Sequence, residues 1–203
     1  MKLYYSPGAC SLASHIVLQE LGATFQIEKV DLKTKKTESG ADFTKVNPKG
    51  AVPALQTGAG EVLTEGPAIL QFVADSAGSG DLSPALGSIA RARLQEALNF
   101  IGSELHKAYS PLFRPVASDE ARAEIMANVA RRLGQIELML ADGRDYLLGA
   151  AFSQADAYAF VVTNWSGMTG VDLSPFPKLE AMRARVMARP AVQAAMRAEG
   201  LLA

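Results

Sequence analysis

The sequence predicts a small α/β domain followed by an all-helical domain, and two observations lead to this prediction. The first 80 residues contain seven lysines and no arginine, whereas the rest of the chain contains two lysines and eleven arginines. Strand signals alternate with helix signals only in the first part, and a Gly/Ser/Pro-rich stretch at residues 77–84 separates the two parts. We therefore expect domains at residues 1–80 and 88–203, joined by a linker at residues 81–87.

The first part is predicted to run strand, helix, strand, loop or short helix, hairpin and helix. Short aromatic or β-branched runs, a Thr-Gly-Ala-Gly turn and glycines or prolines at helix ends carry these predictions. The expected elements are a strand at Lys2–Tyr5, a helix at Ser11–Leu21, a strand at Phe25–Leu32, a hairpin of Pro53–Gln56 and Glu61–Thr64, and a helix from Pro67 to about Ser76. This is the element order of the thioredoxin-like fold.

The second part contains no convincing strand. One apolar helical face is formed by Leu94, Leu98, Ile101, Leu105 and Leu112. Ser118 is a predicted N-cap for a helix to about Leu140, and Ser153-x-x-Asp156 is a capping-box-like start for a helix at Ala155–Trp165. Two further helices are expected at Phe176–Met187 and Ala191–Glu199, separated by Pro190.

Composition excludes several classes of protein. Hydrophobic residues make up 49% of the 203 residues and the formal net charge is −1, so the chain can bury a core and offers nucleic acid no basic field. No apolar run approaches the roughly 20 residues of a membrane span, and the N-terminus does not resemble a secretory signal. A single cysteine excludes an internal disulfide and a cysteine-rich zinc site, and two histidines disfavour a multi-histidine metal site. We expect a cytoplasmic protein without a resident metal.

Cys10 is the first candidate catalytic residue, because it follows a strand and a turn and lies at the start of the first predicted helix. Unpaired N–H groups and the helix dipole favour a thiolate there. A dithiol oxidoreductase would carry a second cysteine at Ala13, so this site is monothiol and disfavours a thioredoxin-type reductase. The alternative is a small buried apolar cysteine.

Two further segments have the character of a binding site for a peptide-like ligand. Val52-Pro53 precedes a strand, and its isomer is open between cis and trans. In a tight cis turn the N–H and C=O of Val52 would face an open edge, where a peptide could pair with them. Glu65 lies at a helix start, where it is either a plain first-turn acid or the partner of a ligand ammonium, with the ligand carboxylate on the N–H of Gly66.

A polar stripe on the first helix of the second part provides another candidate. Asn99, Ser103, His106 and Ser110 follow an i, i+4, i+7, i+11 pattern and would share one face. Such a stripe is either a solvated face or a ligand-binding face. His106 has few competing explanations, because it is one of only two histidines, whereas His15, within the first helix, is expected to be structural or partly buried.

Four spaced blocks together resemble bacterial beta-class glutathione S-transferases. They are Tyr4–Ala13 (YYSPGACSLA), Val46–Leu55 (VNPKGAVPAL), Leu63–Gly66 (LTEG) and Glu104–Lys107 (ELHK), and the likeness runs essentially from end to end. The resemblance implies the glutathione S-transferase fold and a cytoplasmic homodimer active in detoxification. It also implies glutathione as co-substrate and a small hydrophobic electrophile as acceptor.

The resemblance implies a role for each site residue. Cys10 and His106 would be catalytic at the glutathione thiol, and Val52, before a cis Pro53, would pair with the cysteinyl unit. Further glutathione contacts would come from Lys35 at the glycyl carboxylate, from Glu65 and Gly66 at the γ-glutamyl end, and from Asn99, Ser103 and Glu104, the last reaching across from the neighbouring subunit. Some relatives carry a serine in place of Gly66. Tyr5 and Ser11, which resemble thiol-activating positions of other classes, rank below Cys10.

Three functions are weighed on this basis. The first is conjugation of glutathione to an electrophile, with an acceptor wall in the helical domain for which Tyr109, Leu112, Phe113 and Trp165 are candidates, although core packing is their alternative role. The second is thiol transfer or reduction through a Cys10–glutathione mixed disulfide. The third is a non-catalytic binding or interaction protein on the same scaffold, which the presence of Cys10, Pro53, Glu65 and His106 disfavours.

Overall fold

The computed structural model describes residues 1–78, 80 and 82–203. Ser79 and Asp81 lie outside the described residues, so the predicted linker at residues 81–87 is described only from residue 82 onward. The described chain divides into two compact units, Met1–Ser83 together with Ala188–Ala203, and Pro84–Met187. The first unit therefore includes the C-terminal segment, which the sequence analysis groups with the helical domain.

The first unit is built on a five-stranded sheet in the order β3-β2-β1-β4-β5. Its strands are β1 (Lys2–Tyr5), β2 (Gln26–Asp31), β3 (Lys36–Thr37), β4 (Ala54–Gln56) and β5 (Val62–Thr64). The central strand β1 pairs in parallel with β2, Leu3 opposite Ile27, and antiparallel with β4, Leu3 opposite Leu55. Helices α1 (Ser11–Glu20) and α2 (Gly66–Ser76) complete the thioredoxin-like arrangement that the element order predicts. The two-residue strand β3 is not predicted.

The second unit is helical, as predicted. Its helices are α3 (Ile89–Phe100), α4 (His106–Tyr109), α5 (Asp119–Met139), α6 (Gln154–Asn164), α7 (Ser166–Thr169) and α8 (Pro177–Met187). The predicted capping box at the start of α6 is present, with Asp156 accepting from the backbone N–H and the hydroxyl of Ser153. Burial raises the pKa of Asp156 to about 6.

The first long helix of this unit departs from a regular α-helix. A π-helical segment, Ile101–Leu105, separates α3 from α4, and a 3₁₀ turn at Ser110–Phe113 follows. Leu94, Leu98, Ile101 and Leu105 are buried as predicted, but Leu112, beyond α4 in the 3₁₀ turn, is only partly buried. The prediction of a single apolar face from Leu94 to Leu112 is therefore wrong at its C-terminal end, because the helical pitch changes at the π-helical segment and again at the 3₁₀ turn.

The last helix, α9 (Pro190–Ala198), packs against α1 within the first unit. Its buried face carries Val192, Ala195 and Met196. Arg189, just before it, donates two hydrogen bonds to the carboxylate of Glu20 on α1, at 2.6 and 2.8 Å. These contacts explain why the segment joins the first unit. No helix in the described ranges is both long and apolar enough to cross a bilayer.

Candidate functional site

Cys10 is the N-cap residue of α1 and is partly exposed. Its thiol donates a hydrogen bond to the carbonyl oxygen of Val52, at 3.3 Å. The Leu12 and Ala13 N–H groups of this first turn donate to the carbonyls of Ala9 and Cys10, at 3.0 and 3.2 Å, and the positive end of the helix dipole favours an anion there. The structure thus places the sulfur at a helix start, as the sequence predicts, and brings it against the second predicted segment.

The loop before Cys10 is fastened by Ser11. The Ser6 N–H donates to the Ser11 hydroxyl oxygen at 3.2 Å, and the Ala9 N–H donates to the Ser6 carbonyl at 3.0 Å. Ser11 is fully buried, and Tyr5 is nearly so. Burial, together with the charges of Glu199 and Glu38, raises the pKa of Tyr5, so its hydroxyl stays protonated at neutral pH. These environments suit holding the loop rather than activating a thiol.

The Val52–Pro53 peptide bond is cis, which settles the isomer that the sequence leaves open. The turn leading to it is held by Asn47, a residue for which the sequence analysis gives no role. The Asn47 amide donates to the Ala51 carbonyl at 2.7 Å, and its oxygen accepts from the Lys49 N–H at 3.1 Å. Asn47 is buried, so the turn has an internal brace.

Lys35 lies beside the same turn. Its ammonium donates to the Gly50 carbonyl at 2.8 Å, which uses one of its three donors. The Lys35 backbone has φ 58°, a left-handed conformation that non-glycine residues rarely adopt. The Lys35 ammonium therefore lies against the turn that leads to Val52 and Pro53.

Glu65 is the N-cap of α2 and has φ 70°, the second left-handed non-glycine residue in the described chain. Strained backbone of this kind is concentrated at functional sites. Its carboxylate is exposed and accepts from the Lys49 ammonium at 2.7 Å, so a primary ammonium already occupies the place predicted for a ligand's ammonium. Gly66, the first residue of the helix, has open space where a Cβ would lie.

In the second unit, His106 follows the π-helical segment directly and is partly buried. Its Nδ1 lies 2.8 Å from the Tyr158 hydroxyl oxygen. The ring of Trp165 lies edge-on at a centroid distance of 4.8 Å. Burial, and to a smaller extent the positive charge of Lys107, lowers the pKa of His106 to about 4, so the imidazole is neutral at neutral pH.

The two serines of the polar stripe and the neighbouring Glu104 have partners within their own unit. The hydroxyls of Ser103 and Ser110 donate to the carbonyls of Asn99 and His106, one turn back. Glu104 pairs with Arg132 of α5 at 2.5 Å. The π-helical segment interrupts the regular spacing on which the stripe was predicted, a change that the residue pattern does not signal.

The candidate acceptor-wall residues divide by burial. Tyr109 is fully buried with its hydroxyl 2.6 Å from that of Ser166, so it belongs to the core. Trp165 is nearly buried, whereas Phe113 is half exposed and lies edge-on to Trp165 at 5.3 Å. Phe113 and the partly buried Leu112 are thus the wall candidates with exposed surface.

The C-terminal segment contributes to the Cys10 loop, which the sequence analysis does not predict. Glu199 is buried and accepts from the Gly8 N–H at 3.0 Å and lies 2.9 Å from Nδ1 of His15. The Leu201 side chain lies beside Gly8, 3.6 Å from where a Cβ at that position would be. The sequence does not predict the contact between Glu199 and Gly8, because nothing local to Glu199 indicates a partner near residue 8. Among the described residues no group of three or more His, Cys, Asp or Glu side chains could hold a metal ion.

Comparisons with family models match both parts of the chain. Residues 1–75 match the glutathione S-transferase N-terminal domain, and residues 100–190 match the glutathione S-transferase C-terminal domain. Glutathione S-transferase GstA of Escherichia coli O157:H7 is 44% identical over 99% of this chain and 100% of its own length.

Solved structures agree with these matches. A bacterial beta-class glutathione S-transferase from Sphingomonas chungbukensis is 49% identical, with a TM-score of 0.94 and full coverage of both chains. A sphingomonad glutathione S-transferase complexed with glutathione is 51% identical, with a TM-score of 0.94 over 99% of this chain and 100% of that one. The fold predicted from the four blocks of residues is therefore confirmed.

Proposed function

This chain belongs to the glutathione S-transferase family and is an enzyme of that family, and on that premise we propose that it joins the thiol of glutathione to small hydrophobic electrophiles in detoxification. The observation that supports the proposal most is the partly exposed Cys10 thiol at a helix start, bonded to the carbonyl of Val52 beside cis Pro53. A single cysteine beside a backbone edge that can pair with a peptide suits a ligand that is itself a peptide with a thiol.

The groups around this edge complement those of glutathione, a tripeptide with two carboxylates and one ammonium. The backbone of Val52 pairs with the cysteinyl unit as an added strand would. Lys35 has spare donors for the glycyl carboxylate, and Glu65 takes the γ-glutamyl ammonium in place of the Lys49 ammonium that it holds in the structure. The N–H of Gly66, at the start of α2, donates to the γ-glutamyl carboxylate.

Catalysis requires that the glutathione thiol be ionised near neutral pH. A free thiol has a pKa near 8.5, and lowering that value by about 2 units takes about 2.7 kcal/mol of differential stabilisation. We assign this work to the N–H environment and the helix dipole at the start of α1, where Cys10 lies, and to the neutral imidazole of His106. The thiolate sulfur then attacks the electrophilic carbon, a C–S bond forms, and the leaving group departs with its electron pair.

The remaining contacts and the assembly are part of the same proposal. Asn99, Ser103 and Glu104 are further glutathione contacts, with Glu104 serving the neighbouring subunit of a homodimer. Glu104 then exchanges Arg132, its partner in the described chain, for the ligand. The cytoplasm suits an enzyme whose single cysteine works as a free thiol.

Calorimetry with glutathione and a conjugation assay test the proposal together. We expect binding at millimolar glutathione or tighter, and turnover with a panel of apolar electrophiles. No binding at that concentration would instead favour a non-catalytic interaction protein. Cys10→Ala is the diagnostic variant, because full conjugation activity in it would remove Cys10 from the essential role while leaving glutathione binding intact.

Thiol transfer is the second candidate function, and the partial exposure of the free Cys10 thiol favours it. The Cys10 thiolate would attack glutathione disulfide, forming a Cys10–glutathione disulfide and releasing one glutathione thiolate. Without a second cysteine in the chain, an external thiol must resolve this bond. Mass spectrometry after exposure to glutathione disulfide should show one glutathione adduct that is lost in Cys10→Ala.

A further inference from the structure

The contact between His106 and Tyr158 has a role that the proposed function does not specify. Nδ1 of His106 lies 2.8 Å from the Tyr158 hydroxyl oxygen. Tyr158 is 4% exposed and lies on α6, where every residue from Gln154 to Thr163 is buried. The hydroxyl is therefore presented by a rigid element. The rings of Tyr158 and Trp165 both contact the imidazole edge-on, at 6.0 and 4.8 Å, so packing fixes its orientation as well.

A neutral imidazole carries one proton, and the partner of one ring nitrogen decides what the other nitrogen can do. If Nδ1 accepts a hydrogen bond, the proton lies on Nε2, and that nitrogen is a donor. If Nδ1 donates, Nε2 is a bare acceptor. A bare Nε2 would repel a thiolate, whereas a protonated one would stabilise it.

The chemistry of the two groups favours the first arrangement. A phenol, with a pKa of roughly 10, is a much stronger acid than a neutral imidazole N–H. The imidazole nitrogen is also a stronger base than a phenolic oxygen. The O–H···N sense therefore joins the better donor to the better acceptor across the 2.8 Å contact.

We propose that Tyr158 is a positioning residue whose hydroxyl donates to Nδ1 of His106 and so holds the imidazole proton on Nε2. The consequence for catalysis rests on the proposed function, in which that Nε2 proton is donated to the glutathione thiolate. The tautomer itself does not depend on glutathione. The two parts can therefore be measured separately.

Long-range ¹H–¹⁵N correlation spectra of the histidine rings test the tautomer directly. The chain has only two histidines, and His106→Asn identifies the His106 signals by their loss. We expect wild-type His106 to be protonated on Nε2 at neutral pH. Tyr158→Phe should yield a mixture of the two tautomers, because Nδ1 loses its donor.

Kinetics and ultraviolet titration of the bound glutathione thiol test the consequence. Tyr158→Phe should lower kcat/KM at neutral pH roughly tenfold, with a raised apparent pKa of the bound thiol and recovery of rate at higher pH. Tyr109→Phe is the matched control, because it removes a buried hydroxyl that bonds Ser166 and not His106. It should leave the tautomer and the thiol pKa unchanged, even where both variants lose similar thermal stability.

The outcomes separate the two claims. Wild-type His106 protonated on Nδ1, or a Tyr158→Phe variant with an unchanged tautomer and an unchanged thiol pKa, would overturn the positioning role. An Nε2-protonated His106 that depends on Tyr158, in a protein that neither binds nor transfers glutathione, would support the tautomer assignment and overturn the proposed function instead.

Discussion

His15 and His106 are the two histidines of the chain, one in each unit, and their surroundings differ in almost every respect. His15 lies within α1, is 1% exposed, and has its Nδ1 2.9 Å from the buried carboxylate of Glu199. His106 is partly exposed, and its Nδ1 meets the uncharged hydroxyl of Tyr158. One ring is held by a carboxylate that also accepts from the Gly8 N–H, and the other by an uncharged hydroxyl.

The difference extends to the kind of group that each unit is predicted to use. In the first unit, backbone groups carry much of the predicted recognition: the peptide of Val52, the N–H of Gly66 and the helix start at Cys10. Buried side chains such as His15 and Asn47 hold that backbone in place. In the second unit the proposed working group is a side chain, that of His106. Substitutions in the first unit should therefore act mainly through stability or affinity, and those at His106 through chemistry.

His15→Leu should give the largest effect, on stability. It leaves the Glu199 carboxylate buried with one partner removed, and uncompensated buried charge is costly. We expect the free energy of unfolding, measured by urea denaturation, to fall by about 3 kcal/mol. His106→Asn, measured alongside at neutral pH, should cost much less. Equal losses in the two variants would contradict the contrast between the two histidines.

The sequence predicts the contrast between the histidines only in part. Helix spacing correctly indicates that His15 is structural, because it lies one turn from Ser11 in a short apolar helix. The partner, Glu199, is 184 residues away and has no local signal. Long-range pairs of this kind depend on the packing of α9 against α1, which residue periodicity cannot specify.

His106→Asn should have the next largest effect, on the pH dependence of the free energy of unfolding. The folded-state pKa of His106 is about 4, below the usual 6.5, so the unfolded chain binds more protons between these values. His106 therefore adds no pH-dependent penalty above pH 6.5, whereas its titration increasingly favours the unfolded chain as the pH falls towards 4. We expect wild type to lose about 2 kcal/mol more than His106→Asn over that window, since partial exposure reduces the full value.

The comparison must be made between variants, because Asp156 acts in the opposite direction. Its raised pKa makes the folded state bind more protons as pH falls below about 6, which stabilises the fold. This contribution is common to both proteins and cancels in the difference. Tyr158→Phe retains His106 and should keep most of the pH-dependent loss. A wild-type profile parallel to that of His106→Asn would show that His106 does not titrate as its burial requires.

The candidate site shows the same division between what local pattern reveals and what it misses. Cys10, the Val52–Pro53 turn and the start of α2 are signalled by proline, glycine and helix-start residues, because such positions have strong backbone requirements. The π-helical segment at Ile101–Leu105 is not signalled, since an α-helix and a π-helix accept the same residue types. The pairing of Glu104 with Arg132 depends on α5 and is equally invisible in the local pattern.

Gly66→Ser tests the backbone-built part of the site and should have a smaller effect. A Cβ at Gly66 meets no atom within 4 Å, so serine fits and adds a hydroxyl at the start of α2. One added hydrogen bond of about 1 kcal/mol would tighten glutathione binding roughly fivefold in calorimetry. Gly66→Ala separates this from helix stabilisation, because it adds the Cβ without the hydroxyl. Equal affinity in the two variants would show that the hydroxyl makes no contact.

Lys49→Met should produce the smallest effect. It tests how much an exposed ion pair of the first unit contributes to stability and to ligand binding. Lys49 and Glu65 are both exposed, so their ion pair should add little to stability, and the unfolding midpoint should stay within experimental error. Removing the lysine frees the Glu65 carboxylate from a competing ammonium, and we expect KM for glutathione to fall about twofold. Lys49→Met in a Glu65→Gln background should lose that gain, because the carboxylate for which the two ammonium groups compete is gone. A gain that persists there would mean that Lys49 acts on the ligand by a route that does not involve Glu65.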